Sequence, residues 1–487
     1  MVNVCDGQVR LEVVEALSRH SPRIRICQVV MILLAACAPA VEVAEGNRPN
    51  VLLVIVDDLS DWVGCLEGHP DARTPRIDSL ASSGVLFTNA HAQAPICNPS
   101  RTSFMLGLRP STTGIYQNSP WFRDVPELKE RETLLQCFRQ QGYRTFAAGK
   151  VFHASRNDPA SIDVEGPTPG QRSPLDERVK TDKRWGMWDF GPQGYAESEF
   201  VDSQVVSWAS ERLREDHAQP FFITVGLYKP HVPLYAPSRL FEPERRPLEL
   251  LGKPVDDLSD VPPIALAMRS DSAPSNDWFQ TRDRSNAATN AYLATTTFVD
   301  EQVGRLLDAL ASGPHSNNTI VVLFSDHGMH MGEKTVWGKR TLWERSTRVP
   351  LIFSIPGGSR GVRVEQTTEL LSLFPTLIEL CGLEAPPGAD FDASSLAGLL
   401  DQTQPEWTDP AITSVGANDH AVRTQRWRYI RYADGSEELY DHDSDPHEWV
   451  NLATDPKFDA ELQSLRDTLP SNAATDLAET VANTRKR

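Results

Sequence analysis

Apolar residues along this chain gather in short continuous runs, and polar or charged residues follow each run directly. The run that begins at Asn50 reads NVLLVIVDDLS, which is apolar at consecutive positions and then reaches Asp57 and Asp58. A strand that is apolar at every position is typical of a parallel sheet whose two faces are both covered by helices. The stretches FFITVGLYKP and NTIVVLFSDHG repeat this pattern. We therefore predict several buried, parallel strands.

Segments with a helical spacing of apolar residues separate these runs. Examples are TPRIDSLASSG, ERETLLQCFRQQ, FVDSQVVSWASERLRED and TTTFVDEQVGRLLDALASG. Helices that alternate with buried strands predict an α/β fold, in which a large central, mostly parallel sheet is flanked by helices. In open sheets of this kind, ligands bind at the carboxyl ends of the strands.

The pattern changes near the carboxyl terminus. The stretch HAVRTQRWRYIRYADGSEELYDHDSDPHEWVNL alternates aromatic and charged residues around Asp434-Gly435. This alternation predicts antiparallel hairpins, and a terminal helix is predicted over 458–469. We predict an N-terminal domain at 47–401 and a smaller C-terminal subdomain with an antiparallel sheet at 402–487. Segments 155–184 and 243–285 are rich in proline and polar residues, which predicts long surface loops.

The first forty residues predict a leader rather than part of the fold. Arg23 and Arg25 precede ICQVVMILLAACAPA, a short apolar core followed by small residues, which is typical of a secretory signal. Cleavage after Ala38-Pro39-Ala40 and lipid attachment at Cys37, in the box LAAC, both remain open, as does a start downstream of Met1. No other apolar run approaches the length of a membrane span. We expect export to the periplasm or the cell exterior.

The charge and cysteine content of the chain restrict its possible binding partners and modifications. The 487 residues carry a net charge of −18, which argues against nucleic-acid binding and requires any anion site to be locally basic. Four of the seven cysteines follow the leader, so two disulfides or one chemically modified cysteine are both open.

Two kinds of charged group follow the predicted strands. Asp57 and Asp58 follow one strand, and Asp326 and His327 follow another. Carboxylates at one edge of a sheet suit a hard cation such as Ca²⁺ or Mg²⁺. Cationic groups also follow strands or lie in loops near them, and together with a metal ion they suit a tetrahedral oxyanion. These groups are Arg101, Lys150, His153, His231 and Lys339.

The ordered motifs resemble those of one enzyme family. They are NVLLVIVDDL, CNPSRTSFMLGLRP, GYRTFAAGKVFH, FFITVGLYKPHVP, SDHGMHMGE with WGK, RVPLIFSIPG and LLSLFPTLIELCGL, and they span about residues 50–385. The chain resembles the type I, formylglycine-dependent sulfatases of the alkaline-phosphatase superfamily, and the iduronate-2-sulfatase branch most of all. The resemblance implies an alkaline-phosphatase-like fold with a catalytic domain at 47–401.

The resemblance also implies a mechanism. Cys97, in the pentapeptide CNPSR, would be oxidised to formylglycine by a formylglycine-generating enzyme during maturation. One hydroxyl of the hydrated aldehyde attacks the sulfur and expels the sugar alcohol. The other is then deprotonated, so that the aldehyde re-forms and sulfate leaves.

The resemblance assigns a role to each site residue. One Ca²⁺ would be held by Asp57, Asp58, Asp326, His327 and the modified Cys97. Arg101 would stabilise the diol, while Lys150 and Lys339 hold the sulfate oxygens. His153 would be the base of the elimination step, and His231 the proton donor to the leaving alcohol.

Two positions bear on the substrate. Met329 and Arg340 stand where bulkier aromatic residues are expected in iduronate sulfatases, and Arg340 could pair with a uronate carboxylate. We expect a sulfated oligosaccharide or polysaccharide with a 2-sulfated uronic acid, from a glycosaminoglycan or an algal polymer. Two alternatives are a phosphatase or phosphonate monoester hydrolase of the same superfamily and a non-catalytic, secreted glycan-binding protein. The Cys97 motif argues against the first, and the filled catalytic positions argue against the second.

Overall fold

The structure is a computed structural model that describes residues 48–168, 187–242, 256–268, 273–281, 283–404 and 406–478. The predicted leader at 1–40, with Cys37, lies outside the described residues. So do the second half of the loop predicted at 155–184 and part of the one predicted at 243–285. The predicted domain boundary between residues 401 and 402 stays a prediction.

The strands are short and most are buried. They are β1 Asn50–Asp57, β2 Val85–His91, β3 Arg144–Gly149, β4 Val164–Glu165, β5 Phe190–Gln193, β6 Phe221–Pro230, β7 Leu234–Pro237, β8 Thr319–Ser325, β9 His330–Met331, β10 Trp337–Gly338, β11 Arg348–Ser354, β12 Val362–Val364, β13 Thr368–Glu369, β14 Ala411–Gly416, β15 Asp419–Arg423, β16 Trp427–Arg431 and β17 Glu437–Asp441.

The α-helices lie between them along the chain. They are α1 Pro75–Ser83, α2 Cys97–Leu106, α3 Pro110–Thr113, α4 Leu134–Gln140, α5 Val201–Arg214, α6 Pro263–Ala267, α7 Asn276–Gln280, α8 Arg284–Ala311, α9 Glu344–Thr347, α10 Leu373–Leu380, α11 Ala397–Leu400 and α12 Asp459–Arg466.

A nine-stranded sheet organises the described part of the chain. Its strand order is β12-β2-β11-β8-β1-β6-β3-β4, and β13 also pairs with β2. All of these pairings are parallel except the two that β11 makes with β2 and β8. The fold class predicted from the sequence, a large and mostly parallel sheet flanked by helices, is confirmed.

The two faces of β1 show why its sequence is apolar at every position. Val51, Leu53 and Ile55 belong to a core cluster that includes residues of α2, α4 and α10. The alternate residues of β1 belong to a second cluster, with residues of α1, α5 and α8. Because successive side chains of a strand point to opposite faces, both sets must be apolar when helices cover both faces.

The C-terminal strands form a separate antiparallel sheet in the order β14-β15-β16-β17. Asp434 and Gly435 lie in the turn between β16 and β17, as predicted, and Gly435 adopts a positive φ of 86°. The helix predicted over 458–469 is α12, and its Leu462 and Leu465 pack on this sheet.

One predicted loop is different in the structure. The segment 243–285 contains two short helices, α6 and α7, and the start of α8 is at Arg284 rather than near residue 295. The four cysteines among the described residues, Cys65, Cys97, Cys137 and Cys381, form no disulfide. No described helix is both long enough and apolar enough to cross a membrane.

Candidate active site

The site lies where four neighbouring parallel strands end. The strands β3, β6, β1 and β8 are adjacent in the sheet and end at Gly149, Pro230, Asp57 and Ser325. The residues that follow them are Lys150, His231, Asp58, Asp326 and His327. Parallel strands bring their carboxyl ends to one edge, so these side chains, far apart in sequence, come together in space.

The end of β1 is bent into the site. Pairing between β1 and β6 shifts register between Val56 and Asp57, and Asp58 adopts a left-handed φ of 64°. Aspartate tolerates this conformation better than most residues do. The Asp58 amide donates to Asp326 Oδ1 at 3.2 Å, and the Leu59 amide donates to the Ser325 hydroxyl at 2.9 Å. These two hydrogen bonds tie the backbone that follows Asp57 to the end of β8 and its loop.

Cys97 lies at the centre of the charged groups. It is the first residue of α2 and is 1% exposed. Its Sγ lies 3.2 Å from Lys339 Nζ, 3.3 Å from Lys150 Nζ and 3.4 Å from His327 Nε2. Asp57 Oδ1 lies 3.5 Å from the same sulfur. Two ammonium groups, an imidazole and a carboxylate thus surround one buried sulfur atom.

These charges change the proton affinity of the site. Burial favours the neutral thiol, but the charges of Lys150, Lys339 and His327 outweigh it and hold the pKa of Cys97 well below its usual value. Burial also opposes the charge of Asp57, and Cys97 raises its pKa further. Lys150, which donates a hydrogen bond to Asp57, is one of the cations that nevertheless lower the pKa of that carboxyl. The thiolate and the carboxylate are thus the favoured forms.

Arg101 contacts two of the carboxylates of the site, those of Asp57 and Asp326. Its Nε donates to Asp326 Oδ2 at 2.8 Å, and its Nη2 lies 3.4 Å from Asp57 Oδ1. Its Nη1 donates to the backbone carbonyls of Lys150 and Val151. The Arg101 side chain is 1% exposed, so its contacts are with the carboxylates and the backbone of the site.

The donor set fits a hard divalent cation. Ligand atoms of Asp57, Cys97, Asp326 and His327 lie within 4.8 Å of one another, and so do those of Asp57, Asp58, Cys97 and His231. Asp58 Oδ2 is buried and has no hydrogen-bond partner among the described residues. Three carboxylates, one of which has an oxygen without a hydrogen-bond partner, are the kind of ligand set that Ca²⁺ prefers.

A second acidic cluster in the described chain is different. Glu344, His442 and Glu448 also lie within 4.8 Å of one another. However, Arg423 and Arg428 contact Glu344, and the Nε of Arg428 lies 2.6 Å from Glu448 Oε1. Cations also pair with the carboxylates around Cys97, but Asp58 Oδ2 is left there without a hydrogen-bond partner among the described residues. No buried oxygen of Glu344 or Glu448 is left so in that part of the chain, and we therefore assign this cluster to an ion-pair network rather than a cation site.

A cavity of about 520 Å³ opens over Cys97. His153, His231, Lys339 and Arg340 line it, and His231 Nε2 lies 4.0 Å from Asp58 Oδ2. The structure therefore brings all the site residues predicted from the sequence together. They lie either among the charged groups around Cys97, which form the floor of the cavity, or in its wall. Their individual catalytic roles stay predictions.

Sequence reasoning missed part of the cavity wall. Tyr228 directly precedes the motif Lys229-Pro230-His231, and its ring centroid lies 4.9 Å from that of His231 and 5.6 Å from Lys150 Nζ. Its place beside the motif was a usable signal. Ile96, Ala154 and Val232 carry the same signal, since they adjoin Cys97, His153 and His231. No local signal marks the wall residues Asn118, Met187 and Trp188.

Known proteins are similar to this chain in sequence and in fold. The family model described as Sulfatase matches residues 49–383, and a model described as N-sulphoglucosamine sulphohydrolase, C-terminal, matches residues 332–475. A sulfatase of Formosa agariphila is 39% identical, over 89% of both chains. Human iduronate 2-sulfatase is 32% identical, over 73% of this chain and 74% of its own.

A solved structure gives the same fold. The phosphonate monoester hydrolase of Agrobacterium radiobacter superposes with a TM-score of 0.71 at 24% identity, over 86% of this chain and 94% of its own. At that identity the likeness concerns the fold alone. The sulfatase model covers most of the chain and the strand ends that build the site. The chain therefore belongs to the sulfatase family, and it is an enzyme that hydrolyses sulfate esters.

Proposed function

We propose that this sulfatase removes the 2-O-sulfate of a uronic acid in a sulfated oligosaccharide or polysaccharide, using formylglycine made from Cys97 and one Ca²⁺. The observation that carries this proposal is the position of Cys97. Its sulfur lies within 3.4 Å of two ammonium groups and an imidazole, beside three carboxylates, on the floor of a cavity. This is where a nucleophile and a sulfate group would meet.

The residues of the floor bind and orient the sulfate. Lys150 and Lys339 both lie within 3.3 Å of the Cys97 sulfur, so their ammonium groups can contact the sulfate oxygens and offset charge that develops in the transition state. A Ca²⁺ held by Asp57, Asp58, Asp326 and His327 would add a Lewis acid that activates the hydroxyl of residue 97. Arg101 keeps two of these carboxylates in place.

Two histidines of the cavity would transfer the protons of the reaction. His231 Nδ1 donates to the Val232 carbonyl at 2.7 Å, which leaves Nε2 toward the cavity as the atom that can protonate the leaving alcohol. The His153 side chain lines the same cavity as Cys97, so it can take the proton of the second hydroxyl when the aldehyde re-forms. That step breaks the bond between the β-carbon of residue 97 and the ester oxygen of the attached sulfate group, and inorganic sulfate leaves.

Maturation of Cys97 can be tested directly. After coexpression with a formylglycine-generating enzyme, mass spectrometry of the peptide that contains Cys97 should show a loss of about 18 Da relative to the thiol. Cys97→Ala should abolish turnover and keep the fold, because the residue contributes a small side chain to packing. A Cys97→Ala variant with wild-type activity would refute the nucleophile.

The reaction and the substrate need separate assays. The matured enzyme should hydrolyse 4-nitrophenyl sulfate much faster than 4-nitrophenyl phosphate, and the reverse order would favour a phosphatase or phosphonate hydrolase. Among defined disaccharides, one with a 2-sulfated uronate should lose its sulfate group, and one that is sulfated only on a hexosamine should not. Inactivity toward every sulfate ester would support the glycan-binding alternative.

Arg340 provides a test of substrate recognition. It lines the cavity, and its guanidinium can bind a carboxylate through two hydrogen bonds. Arg340→Gln should lower kcat/KM for the 2-sulfated uronate by about 10-fold or more, the usual cost of losing a charged hydrogen bond. The value for 4-nitrophenyl sulfate, which has no carboxylate, should stay within a factor of about two. Equal losses on both substrates would contradict this role.

We also propose that the leader at 1–40 exports the enzyme to the periplasm or the cell exterior. Sulfated polysaccharides are outside the cell, and a leader of this pattern supports export.

A further inference from the structure

Tyr292 connects the long helix α8 to the bent end of β1. It is fully buried, and its hydroxyl donates to the Asp58 carbonyl at 2.8 Å. The same hydroxyl accepts the Ser60 amide at 2.9 Å and lies 3.1 Å from the Ser60 Oγ. None of the sequence motifs includes Tyr292, and it does not line the cavity. Its two main-chain partners, the Asp58 carbonyl and the Ser60 amide, belong to the residues on either side of Leu59.

Asp58 needs such support because its backbone is strained. The left-handed region costs a residue other than glycine about 1 kcal/mol or more, and less for aspartate than for most residues, so contacts with the surroundings must compensate that cost. Asp326 and Ser325 fix the amides of Asp58 and Leu59 from the side of β8. Tyr292 fixes the Asp58 carbonyl and the Ser60 amide from the side of α8. The segment is thus held from two sides.

The strained backbone determines where the carboxylate points. Asp58 Oδ1 accepts from Lys339 Nζ at 2.5 Å and lies 3.4 Å from His327 Nε2. Asp58 Oδ2 is buried without a hydrogen-bond partner among the described residues. If Asp58 relaxed to an ordinary extended conformation, this orientation would be lost.

We propose that Tyr292 is a positioning residue for the metal site, which holds Asp58 in the conformation that presents its carboxylate to the cation. The proposal rests on the calcium site of the proposed function. Without the hydroxyl, a buried carbonyl and a buried amide lose their partner, and the left-handed state of Asp58 is less favoured. Groups that orient a metal ligand change metal affinity by about 10- to 100-fold when they are removed.

The test is calcium binding by Tyr292→Phe. Phenylalanine keeps the ring and its edge contact with Trp62, at a centroid distance of 5.5 Å, and removes only the hydroxyl. The full-length protein is treated with EDTA, dialysed and titrated with CaCl₂ in a calorimeter. We expect the Kd for Ca²⁺ to rise about 10- to 100-fold. The calcium-induced rise in Tm, at one fixed CaCl₂ concentration, should shrink accordingly.

Two control variants separate positioning from general loosening. Thr289 lies on α8, one turn before Tyr292, and its buried hydroxyl has no hydrogen-bond partner among the described residues. Thr289→Val should leave the Kd for Ca²⁺ unchanged. Ser60→Ala keeps the Tyr292 ring and both main-chain hydrogen bonds, so its Kd should stay within a factor of about three of the wild type.

Any of the following three results would overturn the proposal. If Tyr292→Phe lowers Tm in EDTA but binds Ca²⁺ as tightly as the wild type, Tyr292 is merely structural. If Thr289→Val or Ser60→Ala weakens binding as much as Tyr292→Phe, the effect does not belong to the phenol. If the wild type itself binds no Ca²⁺, the calcium site of the proposed function fails, and the role of Tyr292 fails with it.

Discussion

At the scale of single residues, the carboxylates of the site depend on a buried guanidinium group. Arg101 is 1% exposed and lies between Asp57 and Asp326, which are both fully buried. Burial opposes the charge of its guanidinium, but these carboxylates outweigh that effect and raise the pKa of Arg101. Removing the cation would leave two buried carboxylates without their partner, and a partner lost from a buried ion pair is strongly destabilising.

We therefore predict that Arg101→Met lowers the free energy of unfolding by about 3–5 kcal/mol. Arg101→Lys should also be destabilising, since one ammonium cannot reproduce the planar contacts of a guanidinium. The measurement is urea unfolding in EDTA, so that no added cation compensates the carboxylates.

A surface arginine serves as the control for Arg101. Arg426 pairs with Asp441 at 2.8 Å, but its side chain is half exposed. Arg426→Met should cost far less than Arg101→Met, because exposed ion pairs contribute little. Similar losses in the Arg101 and Arg426 variants would contradict the view that burial makes Arg101 important.

The sequence predicted the floor of the site better than its wall, and the reason is physical. Asp57, Asp58, Asp326 and His327 directly follow apolar strands, and parallel strands must end at a common edge. Their carboxylates alone suited a hard cation, whereas the complete ligand set came from the family resemblance. Wall residues such as Trp188 are brought in by loops, whose path depends on tertiary packing and leaves no periodic pattern in the sequence.

At the scale of elements, the small antiparallel sheet is tied to the segment that follows Lys339. Arg428 of β16 is fully buried, and its Nη1 donates to the Leu342 carbonyl at 2.9 Å. Its other nitrogens contact Glu344, at the start of α9, and Glu448, after β17. One guanidinium thus joins three segments of the chain.

We predict that Arg428→Met lowers the free energy of unfolding by about 3–5 kcal/mol, because Glu344 and Glu448 would stay buried with less compensation. Arg431 lies on the same strand and is exposed. Arg431→Met should therefore change stability by about 0.5 kcal/mol or less. Chemical denaturation of both variants at neutral pH is the measurement, and equal losses would refute the role of Arg428.

The elements also show where sequence patterns fail. Long helices such as α5 have enough turns for an apolar periodicity to be visible, and they were predicted. The helices α6 and α7 have five residues each, which is too short for a periodic signal. Their start signals were present, since Pro263 begins α6 and the Ser275 hydroxyl accepts the Trp278 amide at the start of α7. In a segment rich in proline and polar residues, the same residue types also predict turns.

At the scale of the whole molecule, buried histidines should limit stability in acid. His330 is fully buried, and burial, reinforced by the charge of Arg345, lowers its pKa to about 3. Burial also lowers the pKa of His91 well below its usual value. In an unfolded chain, histidine has a pKa of about 6.5. Between these values the unfolded state binds more protons than the native state.

The free energy of unfolding should therefore rise with pH across this range, and acid should remove stability. For His330 alone, acidification from about pH 7 to about pH 4.5 should cost about 2–3 kcal/mol. His330→Gln cannot take up that proton. Its free energy of unfolding should consequently fall less steeply with acidification than that of the wild type, in urea titrations at several pH values.

Thr341→Val is the matched control for this pH dependence. The Thr341 hydroxyl lies 2.8 Å from His330 Nε2, so its removal weakens the packing of the ring but leaves a histidine that can be protonated. This variant should be less stable at every pH and keep the steep dependence of the wild type. If His330→Gln retains the wild-type slope between pH 7 and 4.5, the acid sensitivity belongs to other groups. His91 is then the next residue to replace, since it is buried in the same neutral form.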